Sequence, residues 1–249
     1  MTSVGHTELS NAPAKGRRAD PGALRRALPN VLTTSRVAMA IGFFGVLTFW
    51  RFESSSAAAG RVDLVLLAAA ALFIIAGLTD ILDGYLARRW GTETAFGRIM
   101  DPFADKILVV GALVFLAGPD FWFSTPEKHR LVGHGFQLSG VYPWMVVVIV
   151  GRELLVTSIR GVLESQGVRF GSDVWGKLKM FLQSVCIPLV LVTIAITPTM
   201  VTPESRPWGR NVIDVAVIVA VAATAISGIP YIYRALKHMQ SWADARRDA

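Results

Sequence analysis

The sequence predicts an all-α integral membrane protein with six transmembrane helices and both termini in the cytoplasm. Of its 249 residues, 53% are hydrophobic and only 17% are charged, which is unusual for a soluble protein. Six apolar stretches reach or approach the roughly 20 residues that a helix needs to cross a bilayer. They lie at residues 31–50, 62–86, 102–117, 142–163, 174–197 and 212–233.

Lysine and arginine are distributed unevenly between the segments that join these stretches. If the N-terminal tail is cytoplasmic, 19 of the 25 fall on the cytoplasmic side, and the other six are Arg51, Arg61, Lys128, Arg130, Arg206 and Arg210. Because cytoplasmic segments of membrane proteins are enriched in these residues, we expect a multi-pass protein of the cell membrane in this orientation. The net charge of +7 follows from the same bias and from attraction to anionic lipids, so no nucleic-acid partner is expected.

The chain divides into four predicted regions. Residues 1–20 are polar and predict a disordered tail, and residues 21–30 alternate leucine with arginine as a juxtamembrane amphipathic segment does. Residues 31–235 form the six-helix domain, in which Pro102 fits either a first helical turn or a local kink. Residues 236–249 form a basic C-terminal tail. The loop at residues 118–141 is long and receives no predicted role.

Four aspartates stand out between residues 78 and 107, in otherwise apolar sequence. Asp80 and Asp83 are three residues apart, and Asp101 and Asp105 are four apart, so each pair shares one face of its own helix. Four carboxylates converging in a low-dielectric setting would repel one another, which predicts one or two divalent metal ions between them. Hard oxygen ligands favour Mg²⁺, Mn²⁺ or Ca²⁺ over zinc or copper. Four acids on facing helices are poorly explained as simple helix caps.

Small and basic residues accompany the aspartates. Gly84, Ala87 and Gly97 allow a helix or a bulky ligand to approach the backbone closely. Arg88, one turn beyond Gly84, is placed to bind a phosphate or a carboxylate through two parallel hydrogen bonds.

The spacing of these residues resembles that of a known enzyme family. The string Asp80-x2-Asp83-Gly84-x2-Ala87-Arg88-x8-Gly97-x3-Asp101-x3-Asp105 is similar to the complete motif of the CDP-alcohol phosphotransferases. The resemblance implies a six-helix membrane enzyme, generally a homodimer, that needs Mg²⁺ or Mn²⁺. Such enzymes move a phosphatidyl group from CDP-diacylglycerol to an alcohol and release CMP, whereas other members move a phosphoalcohol from a CDP-alcohol to a lipid.

The resemblance also implies a role for each motif residue. The four aspartates would hold the metal, and Asp105 would in addition act as the general base that deprotonates the attacking hydroxyl. The pocket for the cytidine-diphosphate donor would be lined by Thr79, Gly84, Ala87, Arg88 and Gly97.

Residues 29–36, 101–106, 151–154 and 176–179 resemble the members of the family that use glycerol 3-phosphate as the acceptor. A phosphate dianion beside an anionic donor needs cations, and the candidates are Arg152, Arg160, Lys177 and Lys179. Arg36 and Arg98 are weaker candidates.

Lys177 and Lys179 are two apart and diverge on a helix, so we expect only one to face the site. Glu153 is expected to pair with Arg152 or with a neighbouring base. The alternative interpretation of each cation is that its side chain only extends to the membrane surface, or only helps to set the orientation of the chain, without binding the acceptor.

Other functions remain open at this point. Within the same fold, the acceptor is alternatively inositol phosphate, or phosphatidylglycerol in a cardiolipin-forming reaction. Intramembrane prenyltransferases also use paired aspartate motifs, but they usually separate the two motifs much further. A divalent-cation transporter is the non-enzyme alternative, and it would need acids along a path across the membrane. The four aspartates instead cluster near one face.

Overall fold

The computed structural model describes residues 21–51, 61–90, 95–123, 136–165, 174–197 and 208–247, and these form six long helices. One 3₁₀ turn, Pro119–Phe121, and a two-residue antiparallel strand pair, Trp122–Phe123 with Phe136–Gln137, lie between the third and fourth helices. The predicted helical class is confirmed, since each predicted apolar stretch corresponds to one helix. The helices are α1 Pro21–Phe49, α2 Leu64–Trp90, α3 Ala95–Leu116, α4 Pro143–Ser165, α5 Val174–Ile196 and α6 Trp208–Arg247.

Helix boundaries differ from the predicted ones at three places. Helix α1 begins at Pro21, so residues 21–30 continue into the first apolar stretch rather than forming a separate segment. Helix α3 begins at Ala95, which places Pro102 inside the helix and excludes a position in its first turn. Helix α6 continues to Arg247 and includes most of the predicted C-terminal tail. In each case the helix extends beyond the apolar stretch from which it was predicted. The predicted N-terminal tail lies outside the described residues.

Within the described part of the chain, three helices are long and apolar enough to cross a membrane. The spans are Leu64–Leu82 in α2, Gly176–Ile196 in α5 and Trp208–Lys237 in α6, and α1 contains a shorter apolar segment, Thr34–Phe49. Many large apolar side chains on these helices face outward, such as Ile81, Phe181 and Ile218. A soluble protein buries such a surface, so this exposure indicates a lipid environment.

The core is built where α1 packs on α2 and α3, and where α5 packs on α2 and α6. The Phe44 ring of α1 stacks on Phe115 of α3, with 5.4 Å between ring centroids. Gly111 makes this packing possible, because a Cβ atom there would lie 2.4 Å from the Phe44 ring. Phe43 and Leu47 of α1 are fully buried in the same core.

Contacts at the helix ends show that successive helices alternate in direction. Arg36, in α1, pairs with Asp80 near the end of α2, whereas Trp50, after α1, donates a 2.6 Å hydrogen bond to Asp63 just before α2. The backbone N–H of Asp63 donates to the carbonyl of Ala195 near the end of α5, at 2.9 Å. The bundle therefore has two polar ends with an apolar core between them. We call the end that carries Asp80 the aspartate end.

The other end is covered by the described part of the loop between α3 and α4. The side chains of Gln137 and Ser139 each donate a 2.5 Å hydrogen bond to the carbonyl of Leu116, near the end of α3. Arg210 of α6 bonds the carbonyl of Gln137 and forms a salt bridge to Asp214 at 2.7 Å. We call this the capped end, because buried polar contacts hold the loop on the bundle there.

Candidate active site at the aspartate end

The first part of the site is an ion pair between α1 and α2. The Arg36 guanidinium, only 1% exposed, lies 2.5 Å from a carboxylate oxygen of Asp80, whose side chain is 39% exposed. Arg36 was a weaker candidate for the acceptor phosphate, and the structure places it against an aspartate of the donor motif instead. A buried guanidinium needs a carboxylate partner, which explains its position. The hydroxyl of Thr79, next to Asp80, donates to its own helix at the carbonyl of Ala76.

Asp105 of α3 is partly buried and is electrostatically coupled to Asp80. Three cations, Arg36, Lys179 and Lys106, act on the Asp105 carboxylate as well. The structure thus brings one aspartate from each half of the motif into a single charged cluster.

Gly84 lies half-buried in α2. The side chains of six further predicted site residues lie outside the described residues: Asp83, Ala87, Arg88, Gly97, Arg98 and Asp101.

A second charged cluster joins α4 to α5. Glu153 of α4 accepts a hydrogen bond from Arg152 at 3.2 Å and forms a salt bridge with Lys179 of α5. The predicted pairing of Glu153 with Arg152 is therefore confirmed. Arg152 and Lys179 are buried, and Arg152 also donates to the carbonyl of Ser227 on α6 at 3.1 Å. We refer to Arg152, Glu153 and Lys179, together with Arg160, as the basic cluster.

Arg160 lies two turns beyond Arg152 on α4, and both arginines contact one aromatic ring. Each guanidinium carbon is 5.8 Å from the centroid of the Tyr231 ring on α6. Arg160 donates a 3.3 Å hydrogen bond to the Tyr231 hydroxyl, and its Nε atom lies 4.0 Å from Glu164. Tyr231 is not identifiable from the sequence, because a tyrosine near the end of an apolar stretch is also typical of a membrane-interface anchor.

The two lysines of α5 point in different directions. Lys179 is buried against Glu153, whereas Lys177 is exposed. The charge of Lys179 interacts with those of Arg152 and Asp105, so this member of the basic cluster lies near the aspartates as well. Of the two candidates, Lys179 is the one that faces the site.

Lys106 links the helix that carries Asp105 to the helix that carries Arg152 and Arg160. Its ammonium group donates a 2.8 Å hydrogen bond to the hydroxyl of Thr157, which joins α3 to α4. Neither residue was a candidate from the sequence. A lysine directly after Asp105 was the one available signal, and its contact partner is 51 residues away in the chain.

Comparison with known proteins identifies the family of this chain. A sequence model of the CDP-alcohol phosphatidyltransferase family matches residues 26–229. The chain is 33% identical over 206 residues to the CDP-diacylglycerol–glycerol-3-phosphate 3-phosphatidyltransferase of Bacillus subtilis, covering 82% of this chain and 92% of the relative. It is 36% identical over 216 residues to a probable phosphatidylglycerophosphate synthase of Mycobacterium tuberculosis, covering 84% and 82%. Since the family match spans most of the chain, from before Arg36 to just before Tyr231, this protein belongs to the CDP-alcohol phosphatidyltransferase family.

Proposed function

We propose that this protein transfers the phosphatidyl group of CDP-diacylglycerol to sn-glycerol 3-phosphate, forming phosphatidylglycerophosphate and CMP in phospholipid biosynthesis. The observation that carries the proposal is the basic cluster, which lies beside Asp105 at the aspartate end. An acceptor that carries its own phosphate needs such cations, whereas an uncharged alcohol does not. The names of the relatives from B. subtilis and M. tuberculosis support the same acceptor and the same product.

The donor half of the site suits a hard divalent cation. Members of this family generally use divalent metal ions. Asp80 and Asp105 supply carboxylate oxygens in one cluster, where the repulsion that Asp80 exerts on Asp105 is opposed by Arg36, Lys179 and Lys106. Among the residues whose side chains are described, no set of three or more potential ligands converges, and Asp83 and Asp101 fall outside those residues. In the proposal, Asp80, Asp83, Asp101 and Asp105 hold Mg²⁺ or Mn²⁺, which supplies charge neutralisation at the donor pyrophosphate.

Asp105 is the proposed general base. Its carboxylate accepts the proton of the acceptor hydroxyl as the hydroxyl oxygen bonds to the phosphatidyl phosphorus of the donor. The bond from that phosphorus to the bridging oxygen breaks, and the bridging oxygen leaves as part of CMP. Asp105 suits this role because Lys179 couples it directly to the basic cluster, where the acceptor would bind.

The donor pocket is proposed to lie along the end of α2. Thr79 and Gly84 are described there, and Ala87, Arg88 and Gly97 complete the set that the family motif implies. The role of Arg36 is to hold the Asp80 carboxylate in place and to reduce the negative charge that the donor pyrophosphate meets.

The acceptor half is proposed to consist of Arg152, Arg160 and Lys179, with Lys177 at its exposed margin. Glu153 is shared between Arg152 and Lys179, so the cluster retains an excess of positive charge for a phosphate dianion. The negative charge of the same carboxylate offsets the repulsion between the two buried cations. It therefore keeps them close together when no phosphate is present.

We further propose that all six helices cross the cell membrane, with the aspartate end and both termini in the cytoplasm, and that the enzyme is a homodimer. The alternating helix directions and the excess of lysine and arginine on the predicted cytoplasmic segments support this orientation. Both substrates would then be available at one face, because glycerol 3-phosphate is soluble and the lipid donor presents its headgroup there.

The acceptor is tested directly with purified protein, CDP-diacylglycerol and Mg²⁺, by measuring CMP release with glycerol 3-phosphate, inositol phosphate or phosphatidylglycerol as the added acceptor. We expect release with glycerol 3-phosphate and little with the other two. Release with inositol phosphate but not with glycerol 3-phosphate would replace the proposed acceptor while retaining the donor chemistry. Metal flux into proteoliposomes without any dependence on CDP-diacylglycerol would favour transport instead.

A further inference from the structure

We propose that Tyr231 is a positioning residue that holds Arg152 and Arg160 ready for the phosphate of the acceptor. This inference rests on the proposed function, because it assigns those two arginines to the acceptor half of the site. Tyr231 would not touch the reacting atoms. It would act through the two guanidinium groups that lie on its ring.

The contacts of Tyr231 are of three kinds. Both guanidinium groups lie over its ring, with each guanidinium carbon 5.8 Å from the ring centroid, a distance at which a cation is attracted to an aromatic face. Its hydroxyl accepts the hydrogen bond from Arg160 at 3.3 Å. Tyr231 is only 3% exposed, so its ring and hydroxyl are largely out of contact with solvent, whereas the Arg160 side chain is 42% exposed.

The face of α6 that carries Tyr231 is shaped around Arg152. One turn earlier, the carbonyl of Ser227 accepts a hydrogen bond from the Arg152 guanidinium at 3.1 Å. The stem of Arg152 passes directly over Gly228, where a Cβ atom would lie 3.2 Å from the Arg152 Cγ. Residues 227, 228 and 231 share one helix face, so together they define where Arg152 lies.

The Tyr231 hydroxyl also reaches the start of α5. A Cβ atom at Gly176 would lie 3.7 Å from the hydroxyl oxygen, so the backbone that leads to Lys179 passes close by. One side chain therefore contacts α4 and lies against α5 from its own position on α6. These are the three helices that supply the basic cluster and its supports.

The physical consequence concerns the binding of the acceptor. Two arginine side chains of like charge repel each other and have many accessible rotamers, and fixing each of them on binding costs conformational free energy. A ring that holds both in advance reduces that cost. Loss of the ring should therefore weaken binding of the phosphorylated acceptor and leave donor binding, which depends on the aspartate cluster, unchanged.

The test compares Tyr231→Phe and Tyr231→Leu with the matched substitutions Tyr233→Phe and Tyr233→Leu. Tyr233 lies two residues further along α6 and is 68% exposed, so it shares the helix and the residue type but not the site. For each variant, KM for glycerol 3-phosphate, KM for CDP-diacylglycerol and kcat are measured, and monodispersity in detergent is checked.

We expect Tyr231→Leu to raise the acceptor KM roughly tenfold, because it removes the ring contacts with both arginines and one hydrogen bond. Tyr231→Phe keeps the ring and should raise the acceptor KM only about two- to threefold. The donor KM should stay within about twofold of wild type in both variants, and neither Tyr233 variant should change any parameter by more than that. In an Arg160→Ala background, Tyr231→Phe should have no further effect, since the hydroxyl acts on Arg160.

Three kinds of result would contradict either the positioning role of Tyr231 or the proposed function on which it rests. An unchanged acceptor KM in Tyr231→Leu, or equal changes in the two KM values, would overturn the positioning role. If Tyr231→Leu does not fold, the double variant decides instead. The positioning role would be overturned if Tyr231→Phe raised the acceptor KM as much in the Arg160→Ala background as in the wild-type protein. If the wild-type protein releases no CMP in response to glycerol 3-phosphate, the proposed function fails before any variant is compared. The wild-type measurement thus separates that failure from failure of the Tyr231 inference.

Discussion

Glu153 is a charged residue held between two basic side chains. Its carboxylate contacts both Arg152 and Lys179, and all three side chains are largely buried. Removing a partner from a buried ion pair usually costs more than the pair contributes, because the remaining charge is left without compensation. The positions of Arg152 and Lys179 therefore depend on Glu153, although Glu153 itself would repel a phosphate.

The two lysines of α5 provide a matched pair for testing the acceptor site. Lys179→Ala should raise the KM for glycerol 3-phosphate about ten- to a hundredfold, because a buried charge-assisted contact is lost. Lys177→Ala should raise it less than about threefold, because Lys177 is exposed and an exposed charge is screened by solvent. Steady-state kinetics at saturating CDP-diacylglycerol measure both. Equal effects of the two substitutions would contradict the assignment of Lys179 as the inward-facing residue.

Asp105 is tested by a substitution that preserves shape. Asp105→Asn should lower kcat by at least about a hundredfold, because an amide cannot accept the proton of the attacking hydroxyl. Binding of CDP-diacylglycerol, followed by equilibrium titration, should largely survive if the other three aspartates hold the metal.

The control for Asp105 is Asp120→Asn at the capped end. Asp120 pairs with the exposed Arg51 at 2.9 Å, and such a surface pair contributes little to stability. This substitution should leave kcat near the wild-type value. Near-normal turnover of Asp105→Asn would remove Asp105 as the base.

At the scale of elements, the contact between α5 and α6 sets the relation between Lys179 and Tyr231. Deep in this interface, the side-chain amide of Gln183 donates a 2.9 Å hydrogen bond to the hydroxyl of Thr224. A glutamine in an apolar helix indicates such an interhelical bond. The partner on α6 becomes evident only when the helices are packed.

This bond should stabilise the bundle without affecting chemistry. Thr224→Val and Gln183→Leu should each lower the free energy of unfolding by about 0.5–2 kcal/mol, and the double variant should lose less than the sum of the two. Thermal denaturation in a fixed detergent measures the changes. Strict additivity would show that the two side chains do not interact, and a large change in acceptor KM would show that the bond also shapes the site.

The number of helices was predictable because six apolar stretches are separated by polar segments, and apolar length is the dominant signal for a membrane helix. Helix ends were less predictable. Residues 21–30 and 236–247 are polar but helix-forming, so hydropathy does not mark where α1 begins or where α6 ends. The role of the loop at 118–141 was equally hidden, because the hydrogen bonds of Gln137 and Ser139 to Leu116 connect residues more than 20 positions apart.

The site was predictable to different degrees in its two halves. The aspartates follow from a local motif, since their spacing alone places them on helix faces. The basic cluster depends on three helices, and the sequence identified its arginines and lysines without showing their partners. Tyr231 and Thr157 carry no local signal at all, because their importance arises only from contacts made about 50 to 80 residues away in the chain.

At the scale of the whole molecule, the two ends of the bundle differ in a way that suits one-sided chemistry. The capped end is covered by a loop held by buried hydrogen bonds, whereas the aspartate end gathers the charged side chains of five helices. Between the two ends of the bundle, residues 64–79 of α2 and 106–116 of α3 contain no aspartate or glutamate. This arrangement favours a site open at one face over a path for ions through the bundle.

The proposed orientation is testable with single cysteines in a Cys186→Ala background. Arg89 lies at the aspartate end and Arg61 at the capped end, and both are exposed. A membrane-impermeant maleimide should label the Arg61→Cys variant in intact cells and the Arg89→Cys variant only in inverted vesicles. The reverse pattern would place the aspartate end outside the cell and contradict the proposed access of soluble glycerol 3-phosphate.

The central claim is that one site joins a CDP-lipid donor to a phosphorylated acceptor. Its most direct test is the stoichiometry of transfer, in which radiolabelled glycerol 3-phosphate is incubated with CDP-diacylglycerol and purified protein while lipid-bound label and free CMP are counted together. We predict one labelled lipid for each CMP released, with neither formed when the donor is omitted. CMP release without transfer of label to lipid would contradict the account.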